Sequence, residues 1–338
     1  MDLRYAYANA RVKGMKSNLL GENVFRELMQ VKTMEEITAL LEQTPYKQDL
    51  VEASKNHTGV QVIDVALHNN MARTISTVAR IMPSHGRGLF ALLNAEWDAQ
   101  NLKRVLSKKA FGRETTEADL LGVSPARKSF YARLLKTKSL QEALELVSAK
   151  WGSKKFRMKI RGLASSKQEE ALRNAIGEIE KERVRQLLVL SQTAGDPLVK
   201  KIIEDRLVFE NVMVVLRLKK EGVKNAGSFV LFKSPLVNRL LQTESFEECL
   251  KETANAFSLQ PEVAERAKSS LSVLEIALER KIVERVLRWT RLSVLSFATV
   301  VGFVFLKGVE VSNLRKIAFA NAFDLKQELG EYIFAINA

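Results

Sequence analysis

The sequence predicts an all-α fold made of three helical repeats of about 105 residues. Three observations lead there. Leu, Lys, Glu, Ala and Arg dominate the 338 residues, while Gly (16) and Pro (6) are sparse, a composition that favours helices. The phrase "ELMQVKTMEEI" (27–37) returns as "RLLKTKSLQEA" (133–143) and "RLLQTESFEEC" (239–249), which places Thr33, Ser139 and Ser245 at intervals of 106 residues. A second pattern, centred on Asn101, Asn211 and Asn313, recurs out of phase with the first at intervals of 110 and 102.

The elements can be justified in chain order. "YAYANARVKGMKSNLL" reads as a first helix with Asn9 in the marker position. In the recurring phrase, Thr33, Ser139 and Ser245 are each followed three residues later by Glu36, Glu142 and Glu248. That is the capping box, in which the hydroxyl and the glutamate satisfy each other's otherwise unpaired backbone N–H groups. The apolar pairs Leu28-Met29, Leu134-Leu135 and Leu240-Leu241 precede each box, so one helix ends, a turn follows and another begins. "IDVALHNN" (63–70) resembles "LEIALERK" (274–281), and "IGEIEKER" in the middle repeat matches them poorly. Ser124-Pro125 and Ser234-Pro235 are cap-plus-N1 pairs that open the helix before a box. "GSFVLFKS" (227–234) is the one candidate extended stretch.

The apolar run "LSVLSFATVVGFVFL" (292–306) has fifteen residues, short of the roughly 20 needed to span a membrane, and is expected to be a buried core helix. It leads into Asn313 as "SHGRGLFALLNAEWD" leads into Asn101. These readings place repeats at 1–100, 101–210 and 211–338, the last carrying an extra C-terminal helix. Repeats of this size bury cores of their own and need not stack as a solenoid. Arranged around an axis by rotations of roughly 120°, they would leave an opening along it.

A search for chemistry finds no converging groups. The three histidines, His57, His68 and His85, form no metal-binding spacing, and no phosphate-binding glycine loop is present. Cys249 occupies the box position of Ile37 and Ala143 and reads as a small core residue. No catalytic, cofactor or metal residue is assigned. A single cysteine fits a reducing compartment, and the N-terminus lacks the apolar core of a signal peptide.

Net charge is +14 and uneven. Residues 101–200 hold 22 Lys/Arg against 11 Asp/Glu, whereas residues 1–100 are balanced. "SKKFRMKIR" (153–161) concentrates Lys154, Lys155, Arg157, Lys159 and Arg161, as a solvated face or as a contact for an acidic partner or anionic lipid heads. Aromatics are not interleaved with the basic stretches, which argues against nucleic acid.

The opening "YAYANARVKGMKSNLL", with "EWDAQNLKRVLSKKAFGRE" and "GVEVSNLRKIA", resembles the C subunit of the archaeal and bacterial V/A-type rotary ATPases, the counterpart of the d subunit of vacuolar ATPases. The resemblance runs from Tyr5 to about Leu329. It implies a funnel of three helical domains around a pseudo-three-fold axis. The base would rest on the membrane proteolipid ring, and the central socket would receive the rotor shaft, subunits D and F. It implies a non-catalytic coupling at the cytoplasmic face of the membrane, with no cofactor and no small-molecule substrate. Tyr5, Tyr7 and Arg11 become candidate partner contacts beside the basic stretch. The acid three residues before the marker Asn is Asp98 and Glu310, but Val208 stands at the third position. The competing reading is a helical scaffold that binds nucleic acid or an acidic protein through its basic face.

Overall fold

Every regular element among the described residues is helical. The computed structural model describes residues 3–117, 120, 123, 127–223, 225–293, 295–324 and 333. A 3-10 turn, Leu3–Tyr5, leads into α1 (Ala6–Lys16). Then come α2 (Glu22–Gln30), α3 (Met34–Leu41), α4 (Lys47–Ser54), α5 (Val60–Ile81) and the nearly continuous pair α6 (Ser84–Leu93) and α7 (Ala95–Ala110). The next five are α8 (Lys128–Lys136), α9 (Leu140–Lys150), α10 (Lys154–Leu163), α11 (Gln168–Thr193) and α12 (Pro197–Lys220). The last five are α13 (Pro235–Gln242), α14 (Phe246–Ala256), α15 (Pro261–Ser269), α16 (Leu271–Leu292) and α17 (Phe297–Ala322). In each set a short helix precedes a capped helix, then a second short helix, a long one and a helix bearing the marker asparagine. The long helices have 22, 26 and 22 residues, including α11, whose sequence matched the other two poorly.

The caps follow from local chemistry. Thr33, Ser139 and Ser245 have extended backbones and are the N-caps of α3, α9 and α14, each hydroxyl accepting the N–H of the glutamate three residues on. The full reciprocal box forms at Thr33, where Glu36 accepts the N–H of Thr33 (3.1 Å) and of Lys32 (2.7 Å). At Ser139 the returning carboxylate takes the Lys138 N–H instead, at 2.8 Å. Ser234 caps α13 with Pro235 at its first position. Ser124 and Pro125 lie outside the described residues. The 227–234 stretch is a 3-10 turn, Ala226–Phe229, followed by chain that becomes extended at Ser234.

The chain forms two compact units. One comprises Leu19–Gln30 and Ala194–Ala338, the other Asp2–Asn18 and Val31–Thr193. The positions 100/101 and 210/211 each fall inside a continuous helix. Residue 101 lies within α7, which packs on α9 and α11, and residue 211 lies within α12, which packs on α13, α14 and α16. The chain crosses between the two units at 18/19, 30/31 and 193/194.

In the second of these units Leu102, Val105, Leu134, Leu144, Trp151 and Ile160 belong to one buried apolar cluster. In the other, α17 is buried along most of its length, from Phe297 to Ala320. The 292–306 run is not one helix. Its first five residues break it: Ser293 closes α16, Leu295 adopts φ +56°, and Ser296 caps α17 through the Ala298 N–H. Among the described residues α17 is the one helix long and apolar enough to cross a membrane (mean hydropathy 1.4), yet 83% of that stretch is buried inside the protein. Gly302 sets how closely α16 and α17 approach. A Cβ there would stand 2.0 Å from the Thr290 methyl, well inside any real contact, so only glycine fits.

Candidate partner interface

The marker helices hold buried polar groups that a helix cannot satisfy by itself. Asn9, Asn101, Asn211 and Asn313 are all buried. Asn9 and Asn211 turn their Nδ2 back along their own helices, to the carbonyls of Tyr5 (3.0 Å) and Leu207 (2.7 Å). On α12 the Oδ1 of Asn211 accepts the N–H groups of Leu231 (2.7 Å) and Phe232 (3.1 Å), in the chain that enters α13. On α17 the buried Glu310, three residues before Asn313, accepts the Leu20 N–H at 2.5 Å and the Lys307 ammonium at 2.6 Å. On α7 it is Asp98, three residues before Asn101, that receives the Tyr131 hydroxyl (2.9 Å) and the Trp151 indole N–H (3.4 Å), with Arg127 Nε 3.4 Å away. Helices α7, α12 and α17 thus each carry an acceptor for the segment that enters or forms the helix before a box. Val208 replaces the acid on α12, and Asn211 takes over the bond. A buried bond to a charged acceptor contributes on the order of 1.5–3 kcal/mol, and losing its donor costs as much again in desolvation.

A second recurring contact joins the same helices. Lys109 donates from α7 to the carbonyls of Leu135 and Thr137 at the end of α8, and Lys219 donates from α12 to that of Thr243 at the end of α13. Both lysines lie eight residues after their marker asparagine, and both meet the negative end of a helix dipole. That spacing was visible in the sequence; its meaning required the packing.

The candidate contact residues divide by exposure. Tyr5 is buried, edge-on to the His85 ring at 4.9 Å, so its place is in the core and not at an interface. Tyr7 and Arg11, one turn apart on α1, share an exposed face with Leu3. On α10, Phe156 and Ile160 point into the core, and Lys154, Lys155, Lys159 and Arg161 are exposed with Arg157 half-buried. Lys159 pairs with Glu178 at 2.9 Å. Met158, 68% exposed, lies at the middle of this face, between Lys154 and Lys155 one turn before and Arg161 nearly one turn after. Composition had marked the lysines and arginines but not the methionine. The start of α10 is pinned by Glu182 of α11, which accepts from the Ser153 N–H (2.7 Å) and hydroxyl (2.9 Å).

Among the described residues no group of three His, Cys, Asp or Glu side chains is placed to hold a metal ion. Cys249 is buried, and burial pushes its thiol pKa up, which makes it a poor nucleophile.

The family model described as ATP synthase (C/AC39) subunit matches residues 8–331. The chain belongs to that family. Members similar to it include the C subunit of the A-type ATP synthase of Desulfurococcus sp. strain SY, 27% identical over 93% of this chain and 86% of the relative. The corresponding A-type ATP synthase component of Thermococcus onnurineus is 27% identical over 93% and 85% of the two chains, and that of Thermococcus kodakarensis 28% over 92% and 85%. As a C/AC39 family member the chain is a component of a V/A-type ATP synthase complex.

Two of the buried carboxyl groups give opposite pH responses. Burial pushes the Asp98 carboxyl above the ordinary range, against the pull of Arg127, Tyr131 and Trp151. Its contribution to stability is complete below the unfolded aspartate pKa and is lost as pH rises through the folded value. Burial also pushes Glu182 up, but the bonds from Arg185, Gln186 and Ser153 outweigh it and hold its carboxyl low. Its contribution is complete above the unfolded glutamate pKa and is lost as pH falls through the folded value. Relative to Asp98→Asn, the parent should therefore gain stability on acidification. Relative to Glu182→Gln it should lose an advantage of on the order of 1–3 kcal/mol at neutral pH. Denaturant melts from about pH 4 to about pH 8 measure both differences; profiles that run parallel would contradict this assignment.

Proposed function

We propose that this chain is the non-catalytic coupling between the rotor shaft and the membrane ring of a V/A-type ATP synthase. Its socket receives the end of the shaft formed by subunits D and F, and its base rests on the proteolipid ring at the cytoplasmic face of the membrane. The observation that carries the reading is the family match over residues 8–331. The recurrence of marker helix, acceptor and capped helix adds support, since three imperfect copies around an axis would form a socket with one preferred orientation for an asymmetric shaft. A coupling that transmits torque needs stiffness, and capped helices joined by short turns supply it. The test is reconstitution of the complex with and without this chain, reading ATP hydrolysis and ATP-driven ion transport separately. Without the chain, hydrolysis should persist while transport falls to background. Transport at the parental rate would overturn the role.

The basic face of α10 is proposed as a steering surface for an acidic partner, either the shaft or anionic lipid heads. Lys154, Lys155, Arg157 and Arg161 supply its charge together with Lys159, which Glu178 already neutralises in part. Exposed charges are screened over about 8 Å at physiological salt, so the face should set association rate more than affinity. With these five residues changed to glutamine, the association rate with the shaft, or with the ring in lipid, should fall at low salt and match the parent at high salt. Parental rates at both salt concentrations in both assays would reduce the stretch to a solvated helix face.

A further inference from the structure

The helix α2 belongs, by its packing, to the opposite end of the chain from its neighbours in sequence. Residues 19–30 fall in the unit made by residues 194–338, while the flanking α1 and α3 belong to the other unit. Within its unit α2 packs on α17, burying Phe25 and Leu28.

That position has a counterpart. Phe232, whose N–H is accepted by Asn211 of α12, lies 13 residues before the capping Ser245. Leu20, whose N–H is accepted by Glu310 of α17, lies 13 residues before the capping Thr33. α13 and α2 both end three residues before their caps, at Gln242 and Gln30. So α2 stands to α17 as α13 stands to α12. The third copy of this pairing is assembled from residues near the two ends of the chain.

The consequence is one of connectivity. The chain passes between the units at 18/19, 30/31 and 193/194. Only the last connection joins the bulk of one unit to the bulk of the other; the first two merely carry α2 across. The acceptor that holds α2 is itself costly to expose or to leave alone. Glu310 is fully buried, and its second oxygen is already committed to Lys307.

We propose that α2 is a clasp: a segment that closes the third helix pairing from the far end of the chain and opens as a local unit of its own. The pairing is a latch whose polar catch is Leu20 N–H to Glu310 and whose apolar face is Phe25 and Leu28. It opens as a piece, independently of α3 and α4. Its mechanical meaning rests on the coupling role proposed above, since a torque-bearing part with a clasp can be opened, seated on a shaft and closed again.

The test uses the full chain alone, without shaft or ring, so its outcome is separate from the fate of the coupling reading. Hydrogen exchange is followed in the parent, in Leu28→Ala and in Leu50→Ala, a matched buried leucine on α4. Leu28→Ala should accelerate exchange across 19–30 by about a hundredfold, as expected for a buried leucine lost from a local opening unit, and leave 34–54 unchanged. Leu50→Ala should do the reverse. Glu310→Gln, which keeps the shape of the catch but weakens it, provides a milder variant and should accelerate 19–30 by about tenfold. Equal acceleration of 19–30 and 34–54 in Leu28→Ala would overturn the proposal, as would parental exchange across 19–30 in that variant.

Discussion

A polar side chain buried in a long helix has to find its donor on another segment, and that requirement organises this protein. Asp98 and Glu310 are buried three residues before the marker asparagine of α7 and α17, and on α12 the marker Asn211 itself is the buried acceptor. Each binds the segment that leads into or forms the helix before a capping box: Tyr131 for Asp98, the Leu231 and Phe232 N–H groups for Asn211, and the Leu20 N–H for Glu310. An apolar face alone would let a helix of eight or nine residues slide or rotate. One directional bond at its entry fixes its register, and the lysine that caps its far end from α7 or α12 fixes its other terminus. The box helix that follows is then positioned by its own cap. The chain solves the same problem by three different chemistries, a carboxylate with a phenol, an amide with two peptide N–H groups, and a carboxylate with one.

What the sequence made legible was local. The three caps are decided within four residues, so Thr33, Ser139 and Ser245 could be read directly. The long helices α5 and α16 share an apolar pattern. α11 concealed its equivalence because Glu180, Glu182 and Arg183 place charges where its counterparts are less polar, and those charges are satisfied by Lys103, Ser153 and Glu96. The break at Ser293–Ser296 escaped the pattern because its serines and leucines fit a helix as well as a turn. Tyr5 was chosen as a surface contact from its place in a motif, yet it fills the space beside His85 and Gly86. Nothing local could reveal that α2 packs with α17, since that contact joins residues 290 positions apart.

The charge asymmetry fits the same division. Along α11 the acidic residues are largely consumed by bonds to neighbours: Glu178 by Lys159 and Lys181, Glu180 by Lys103 and Arg183, and Glu182 by Ser153 and Arg185. Among the described residues, the acid paired with the outer face of α10 is Glu178, at Lys159. Part of the excess of basic residues in the middle of the sequence is expressed as the exposed face of α10, with Met158 at its centre.

The central claim is that the marker helices hold three equivalent helix pairings, one of them closed by α2. The most direct measurement is an experimental structure of this chain within its assembled complex, with the three sets of helices superposed. The account predicts that superposing the three sets brings Thr33, Ser139 and Ser245 together and lays α2 over α8 and α13, with Leu20 against Glu310. An α2 packed with α3 and α5, away from α17, or caps that fall in unrelated surroundings, would contradict it.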